Sequence, residues 1–200
     1  MNGSFFMSGS LAAERWVVDL CQPRAAAPGA RLRHGSSVSA RVGADLIQIK
    51  AERGSVELRR SVLVPYPAER MFDLIERAED YPQFLPWCVG AAILERSEEH
   101  VAGRLDFSFL QIRFAFKTRN AKRRPEWLGV RLVDGPFRRF DGDWRLTPLG
   151  GIGCKIQFDV SYEISDGLLD RLAKPAVDLV SRSMMDAFVK RAELTFKEAS

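Results

Sequence analysis

Apolar and polar residues alternate in short runs through the middle of this chain, and near its C-terminal end the period lengthens. Val56, Leu58, Arg60, Val62 and Val64 share one side of an extended backbone and Glu57, Arg59, Ser61 and Leu63 the other, which predicts a strand that stops at Pro65. Pro67 suits the first position of a helix, where no amide hydrogen is needed, and Glu69 suits its positive N-terminal end. Met71, Phe72, Ile75 and Ala78 then form one apolar face, until Tyr81-Pro82 ends the helix.

Strand patterns dominate the next portion. After a run from Ala91 to Arg96 and a turn at Glu98-Glu99-His100, Val101, Gly103, Leu105, Phe107 and Phe109 alternate with Ala102, Arg104, Asp106 and Ser108. Beyond a turn near Gln111, Ile112, Phe114, Phe116 and Thr118 alternate with Arg113, Ala115, Lys117 and Arg119. Leu128, Val130 and Leu132 continue the pattern, Asp134-Gly135-Pro136 reads as a turn, and Phe140 to Leu146 resumes around Trp144. The cleanest alternation sets Cys154, Ile156, Phe158, Val160, Tyr162 and Ile164 against Lys155, Gln157, Asp159, Ser161 and Glu163, one face for a core and one for water. After Asp166-Gly167, Leu169, Leu172, Ala173, Ala176, Val180, Met184, Ala187 and Phe188 form a broad helical stripe, in which Pro175 is expected to introduce a kink. Strand, helix, many antiparallel strands and a long final helix predict an α+β domain, with a curved antiparallel sheet wrapped around its C-terminal helix.

Residues 1–53 differ in composition, being rich in Ala, Gly, Ser and Arg, broken by Pro23 and Pro28, and without sustained period. They are expected to be a mostly disordered extension ahead of a domain spanning 55–200. Phe5, Phe6, Leu11 and Trp16 could form a transient helix, but Glu14 and Arg15 interrupt any secretory apolar core. An over-long start or dispensable tail is the preferred reading; the low acidic content would also suit an organellar transit peptide, hence a mitochondrial location. No run approaches the roughly 18 apolar residues of a spanning helix, so a cytoplasmic protein, free or peripheral at the inner membrane, is expected.

Charge and chemistry refine this picture. The formal net charge is +4, yet Arg113, Lys117, Arg119, Lys122, Arg123, Arg124, Arg131, Arg138 and Arg139 meet only Glu126 and Asp134 within their own stretch. That run reads either as a solvated strand face or, through its first six cations, as a contact surface for anionic lipid or RNA. Cys21, Cys88 and Cys154 are widely spaced and odd in number, which fits a reducing compartment and neither a disulfide framework nor a zinc site. His34 falls in the tail and His100 in a polar turn, Cys88 and Cys154 have no sequence-local base, and Asp141 and Asp143 read as solvent-facing; no catalytic constellation is expected. Tyr81-Pro82-Gln83-Phe84-Leu85-Pro86-Trp87-Cys88, by contrast, concentrates bulky apolar side chains on a broken backbone. Phe84 and Trp87 are therefore expected to shape the mouth of an apolar cavity. Phe107, Phe109, Phe114, Phe116, Trp144, Phe158, Tyr162, Met184 and Phe188 are expected to line it or fill its core.

Several of these segments carry a family resemblance: Val62-Leu63-Val64-Pro65-Tyr66, the Tyr81 to Cys88 run, Phe116-Lys117-Thr118-Arg119-Asn120, and Leu132-Val133-Asp134-Gly135-Pro136-Phe137 followed by Trp144. In order and spacing they resemble the coenzyme Q-binding START-like domains of the polyketide cyclase/dehydrase superfamily, RatA-like bacterial members included, over about Ser55 to Phe196. The resemblance implies a helix-grip fold whose cavity takes up ubiquinone or another isoprenoid lipid, a chaperone supporting respiratory electron transfer and not a catalyst. Arg119, Asn120 and Tyr162 are then candidate head-group contacts. It equally implies, as the alternative, a toxin that binds the large ribosomal subunit and blocks subunit association. The extension and Pro67, where relatives commonly carry a serine cap, depart from the family pattern.

Overall fold

The computed structural model describes residues 37–42, 45–52, 55–109, 112–151, 153–164 and 168–197. Nine strands form one sheet: β1 Ser37–Val42, β2 Asp45–Glu52, β3 Ser55–Val64, β4 Cys88–Arg96, β5 His100–Phe109, β6 Ile112–Arg123, β7 Trp127–Asp134, β8 Phe137–Pro148 and β9 Cys154–Ile164. Their spatial order is β1-β2-β3-β9-β8-β7-β6-β5-β4, and every neighbouring pair is antiparallel. Helix α1, Ala68–Glu76, and a 3-10 segment, Ala78–Gln83, carry the chain from β3 to β4 at the far edge of the sheet. Helix α2, Leu168–Lys197, is one continuous helix across Pro175 and lies against β3, β9 and α1. This is the α+β arrangement that the pattern predicts, and it has the helix-grip form that the resemblance implies.

Register shifts bend the sheet. They fall between Cys88 and Gly90, Ile93 and Glu95, Lys117 and Thr118, and Phe137 and Arg139, and an extra residue in one strand locally raises twist and curvature. Gly135, at φ +154°, turns the chain between β7 and β8 directly over Phe116; a Cβ there would lie 2.6 Å from the Phe116 Cβ. The inward face is continuous from Val56 and Leu58 on β3 through Ile156, Phe158 and Val160 on β9 to Trp144 and Leu146 on β8, all buried. Phe188 and Met185 of α2 close over it, at 0% and 1% exposure.

Two expectations need correction. Strands β1 and β2 lie inside the segment whose composition reads as disordered up to Arg53, while residues 1–36 lie outside the described residues. Ile47, Ile49 and Ala51 alternate with Leu46, Gln48 and Lys50, but this short period is lost in a window dominated by Gly, Ser and Arg. The exposed edge of β3 supplies the backbone partners that composition cannot signal. Second, Pro67 is the residue before the helix and not its first, with φ −58° and ψ 146°, and Tyr81-Pro82 sits within the 3-10 segment. The Tyr81 hydroxyl donates to the Ile75 carbonyl and so satisfies an acceptor at the end of α1.

Candidate functional site

Aromatic side chains projecting from β5, β6, β8 and β9 meet α2 in stacked layers. Trp87 lies parallel to Phe107 at 5.0 Å between centroids, Phe107 stacks on Phe114 at 5.1 Å and Phe116 at 5.0 Å, and Trp144 stacks on Phe158 at 4.3 Å. Each such pair is worth about 0.5–1.5 kcal/mol beyond the area it buries. Between these layers lie a cavity of about 70 Å³ and a neighbouring one of about 30 Å³. Phe107, Phe116, Phe140, Phe158 and Met184 border both, so they form the partition. Met184 is its one unbranched, adaptable member.

Trp87, Phe107, Phe116, Trp144, Phe158 and Met184 border the larger cavity, and Phe114 the smaller. Trp87 is 4% exposed and its indole N–H donates to Ser183 Oγ of α2 at 3.2 Å, so it is a wall and not an exposed plug. Phe84, Tyr162 and Phe188 stand behind the lining. Phe188 is packed edge-on by Tyr81, Phe84 and Trp144, and Tyr162 packs edge-on against Phe137. The Phe109 side chain lies outside the described residues. Phe137 and Phe140, which sequence reasoning missed, border the smaller cavity; both flank the Asp134-Gly135-Pro136 turn and the register shift hides their alternation.

One end of the larger cavity is polar. The inward residues of β6 run Phe114, Phe116, Thr118, Asn120 and Lys122, grading from aromatic to cationic along one strand. Asn120 sits between Val101 on β5 and Val130 on β7, neither of which offers a side-chain polar atom, and its Oδ1 is buried without a hydrogen-bond partner. Next to it Lys122, whose side chain is 8% exposed, donates from Nζ to Glu76 Oε1 at 2.6 Å. Glu76, the last residue of α1, borders both the cavity and a surface groove that it shares with Asp73, Arg77, Glu79 and Arg96. Arg96 reaches Glu76 at 3.5 Å and forks onto Glu79 with two 2.8 Å hydrogen bonds. The Arg96 hydrogen bond holds the Glu79 carboxyl below its ordinary range.

The basic run divides differently from its expected six-residue row. Arg113, Lys117, Arg119 and Arg123 are exposed on the outer face, where alternation puts them. Lys122 points the other way, because it has the opposite parity, and Arg124 turns back to pair with Asp73 of α1 at 2.8 and 2.9 Å. Arg119 cannot serve as a head-group contact: it lies outside the sheet, 3.4 Å from Glu95 and 3.0 Å from His100 Nε2. Carboxylates interleave the rest of this face, with Asp134 beside Lys117, Asp141 and Asp143 beside Arg131, and Asp159 between Arg59 and Arg145. Apart from Asp134, cross-strand neighbours brought these acids in; the basic stretch itself did not contain them.

Titration and ligand geometry say what chemistry the site supports. Burial pushes the thiols of Cys88 and Cys154 up to about 11, so at neutral pH both are weakly nucleophilic thiols. Asp141 is bound by Arg131 and Arg139, and Asp143 accepts from the Trp127 indole at 3.0 Å. Among the described residues no group of three or more His, Cys, Asp or Glu side chains could hold a metal ion, and no helix is long and apolar enough to cross a membrane. The arrangement is a cavity with an apolar body and one polar end.

Comparison with known proteins places this geometry. The chain is 35% identical over 137 residues to the ribosome association toxin RatA of Escherichia coli K12, covering 68% of this chain and 87% of that protein. It is 26% identical over 141 residues to the mitochondrial coenzyme Q-binding protein COQ10 homolog B of Xenopus laevis, covering 68% of this chain and 58% of that one. Among solved structures, the Zhui aromatase/cyclase of Streptomyces sp. R1128 superposes with a TM-score of 0.62 at 16% identity, over 70% of this chain and 94% of that one. Human STARD10 gives 0.66 at 11% identity, over 98% and 83%. The fold is thus shared by differently named proteins, and the sequence matches include RatA at 35% identity and the COQ10 homolog at 26%. The model of the polyketide cyclase/dehydrase and lipid transport family matches residues 64–189, and the chain belongs to that family.

Proposed function

We propose that this protein is a non-enzymatic carrier of an amphipathic isoprenoid lipid, ubiquinone being the first candidate, held between the sheet and α2. The observation that carries the proposal is the aromatic cavity with a single polar end, formed by Asn120 beside the Lys122–Glu76 pair. Burying an isoprenoid tail there is favourable by about 25 cal/mol per Å² of apolar area. A pocket for a drug-sized ligand is typically about 300–1,000 Å³, so the 70 Å³ space must widen as the ligand enters. Displacing Met184 would merge the two cavities, since that side chain borders both. The experiment is mass spectrometry of organic extracts of gently purified protein together with ubiquinone titration. Absence of any co-purified isoprenoid together with absence of saturable binding would sink the proposal.

A second reading is favoured by the 35% identity to proteins named ribosome association toxins: binding to the large ribosomal subunit, with blocked subunit association. Its phosphate contacts would come from Arg113, Lys117, Arg119 and Arg123 on the outer face, and affinity would fall steeply with salt as counterions are no longer released. The carboxylates beside Lys117 and Arg119 reduce the free charge of this row. Parallel sedimentation with ribosomal subunits and with anionic liposomes separates the two readings. Subunit binding alone favours the toxin, and liposome binding with lipid extraction favours the carrier.

A further inference from the structure

We infer that Asn120 is the head-group anchor of the cavity and that it selects ligands with a neutral, oxygen-bearing head. This rests on the carrier reading and assigns the ligand's orientation and class within it. Buried side-chain polar atoms are nearly always hydrogen-bonded, and one that is not calls for an explanation. Asn120 Oδ1 is buried among apolar neighbours on both adjoining strands, on the inward face, and borders the cavity. Leucine or valine would satisfy that position better for folding alone. Oδ1 as placed accepts from the hydroxyl of a quinol or alcohol, and turning the amide over presents Nδ2 as a donor to a quinone carbonyl, so the residue can hold either kind of oxygen.

Charge at this end fixes the class further. Glu76 borders the cavity together with Asn120, and Lys122, two residues further along the inward side of β6, pairs with it at 2.6 Å, so the two charges neutralise each other. A carboxylate or phosphate head would meet Glu76 as well as Lys122 and would have to break the pair to bind. A quinone, quinol or alcohol need not. The apolar remainder then lies along Phe107, Phe116 and Phe158, away from the polar end.

The test uses the full chain and three probes: ubiquinone-1, read by quenching of tryptophan fluorescence since Trp87 and Trp144 border the cavity; farnesene, an isoprenoid hydrocarbon without oxygen, read by competition; and decanoate, also by competition. Asn120→Leu is expected to weaken ubiquinone-1 binding at least tenfold, to leave farnesene within twofold, and to raise the melting temperature. Asn120→Val, which matches Val101 and Val130, should behave alike and guards against a leucine that does not fit. Decanoate should bind the wild type at least tenfold more weakly than ubiquinone-1. Unchanged ubiquinone-1 binding in both variants, or decanoate binding as tightly, overturns the inference while leaving the carrier reading intact. A wild type that binds neither ubiquinone-1 nor farnesene overturns both.

Discussion

The two ends of β6's inner face behave oppositely. At the Phe114–Phe116 end the cavity wall is apolar, and rings from β5 and β8 interlock with them at centroid distances of 5.0–6.0 Å. At the Asn120–Lys122 end, two repeats of the pleat later, an amide oxygen is left unpaired and a lysine is drawn inward to a carboxylate. Packing explains the first end completely. The second costs stability, because an unsatisfied buried polar group is unfavourable by about 1–3 kcal/mol, and a buried ion pair recovers little beyond its desolvation. A fold that needed only a core would have continued the aromatic pattern; under the proposed carrier reading, the polar end is where a ligand's demands compete with those of packing.

The contrast can be broken from either side. Phe116→Ala removes a ring that touches Phe107, Phe137 and Phe140 and should lower unfolding free energy by about 3–5 kcal/mol in chemical denaturation. A loss below about 1 kcal/mol would mean that the aromatic end is loosely filled, not stacked. Lys122→Met strips Glu76 of its near partner, leaving Arg96 at 3.5 Å, and should cost about 2 kcal/mol. Adding Glu76→Leu should recover most of that, since the remaining charge is then gone too. A double-mutant cycle with additive losses would show that the two side chains do not act as a pair.

The smallest effect is on pH dependence, at the outer rim of the polar end. Glu79 ordinarily titrates near 4.5, and the Arg96 hydrogen bond lowers it in the folded protein. A carboxyl depressed in this way contributes stability that is fully present above its unfolded value and lost as pH falls through its folded value. Melting temperature should therefore decline shallowly from pH 4.5 downward, and Glu79→Gln should flatten part of that slope. An identical slope in the variant would assign acid sensitivity to other carboxylates.

How much of this was legible in the sequence differs residue by residue. Phe107, Phe116, Trp144 and Phe158 were readable as inward because a strand's period of two is set by covalent geometry alone. Asn120 and Lys122 carried the same parity as Phe116, so the polar end was written in the alternation; it was obscured by grouping Lys122 with Arg123 and Arg124 as a charge run. β1 and β2 were not legible, since their pairing depends on the edge that β3 leaves open.

By itself the sequence determined the element order, the two faces of each strand, the long helix and the family resemblance, because those follow from local periodicity and motif spacing. Tertiary structure alone decided which aromatics border a cavity and which stand behind them, and that Glu76, 46 residues from Lys122 along the chain, neutralises that lysine. Such outcomes depend on sheet curvature, cross-strand register and the seat of α2, where residues distant in sequence become neighbours, and no local pattern encodes a distance between them.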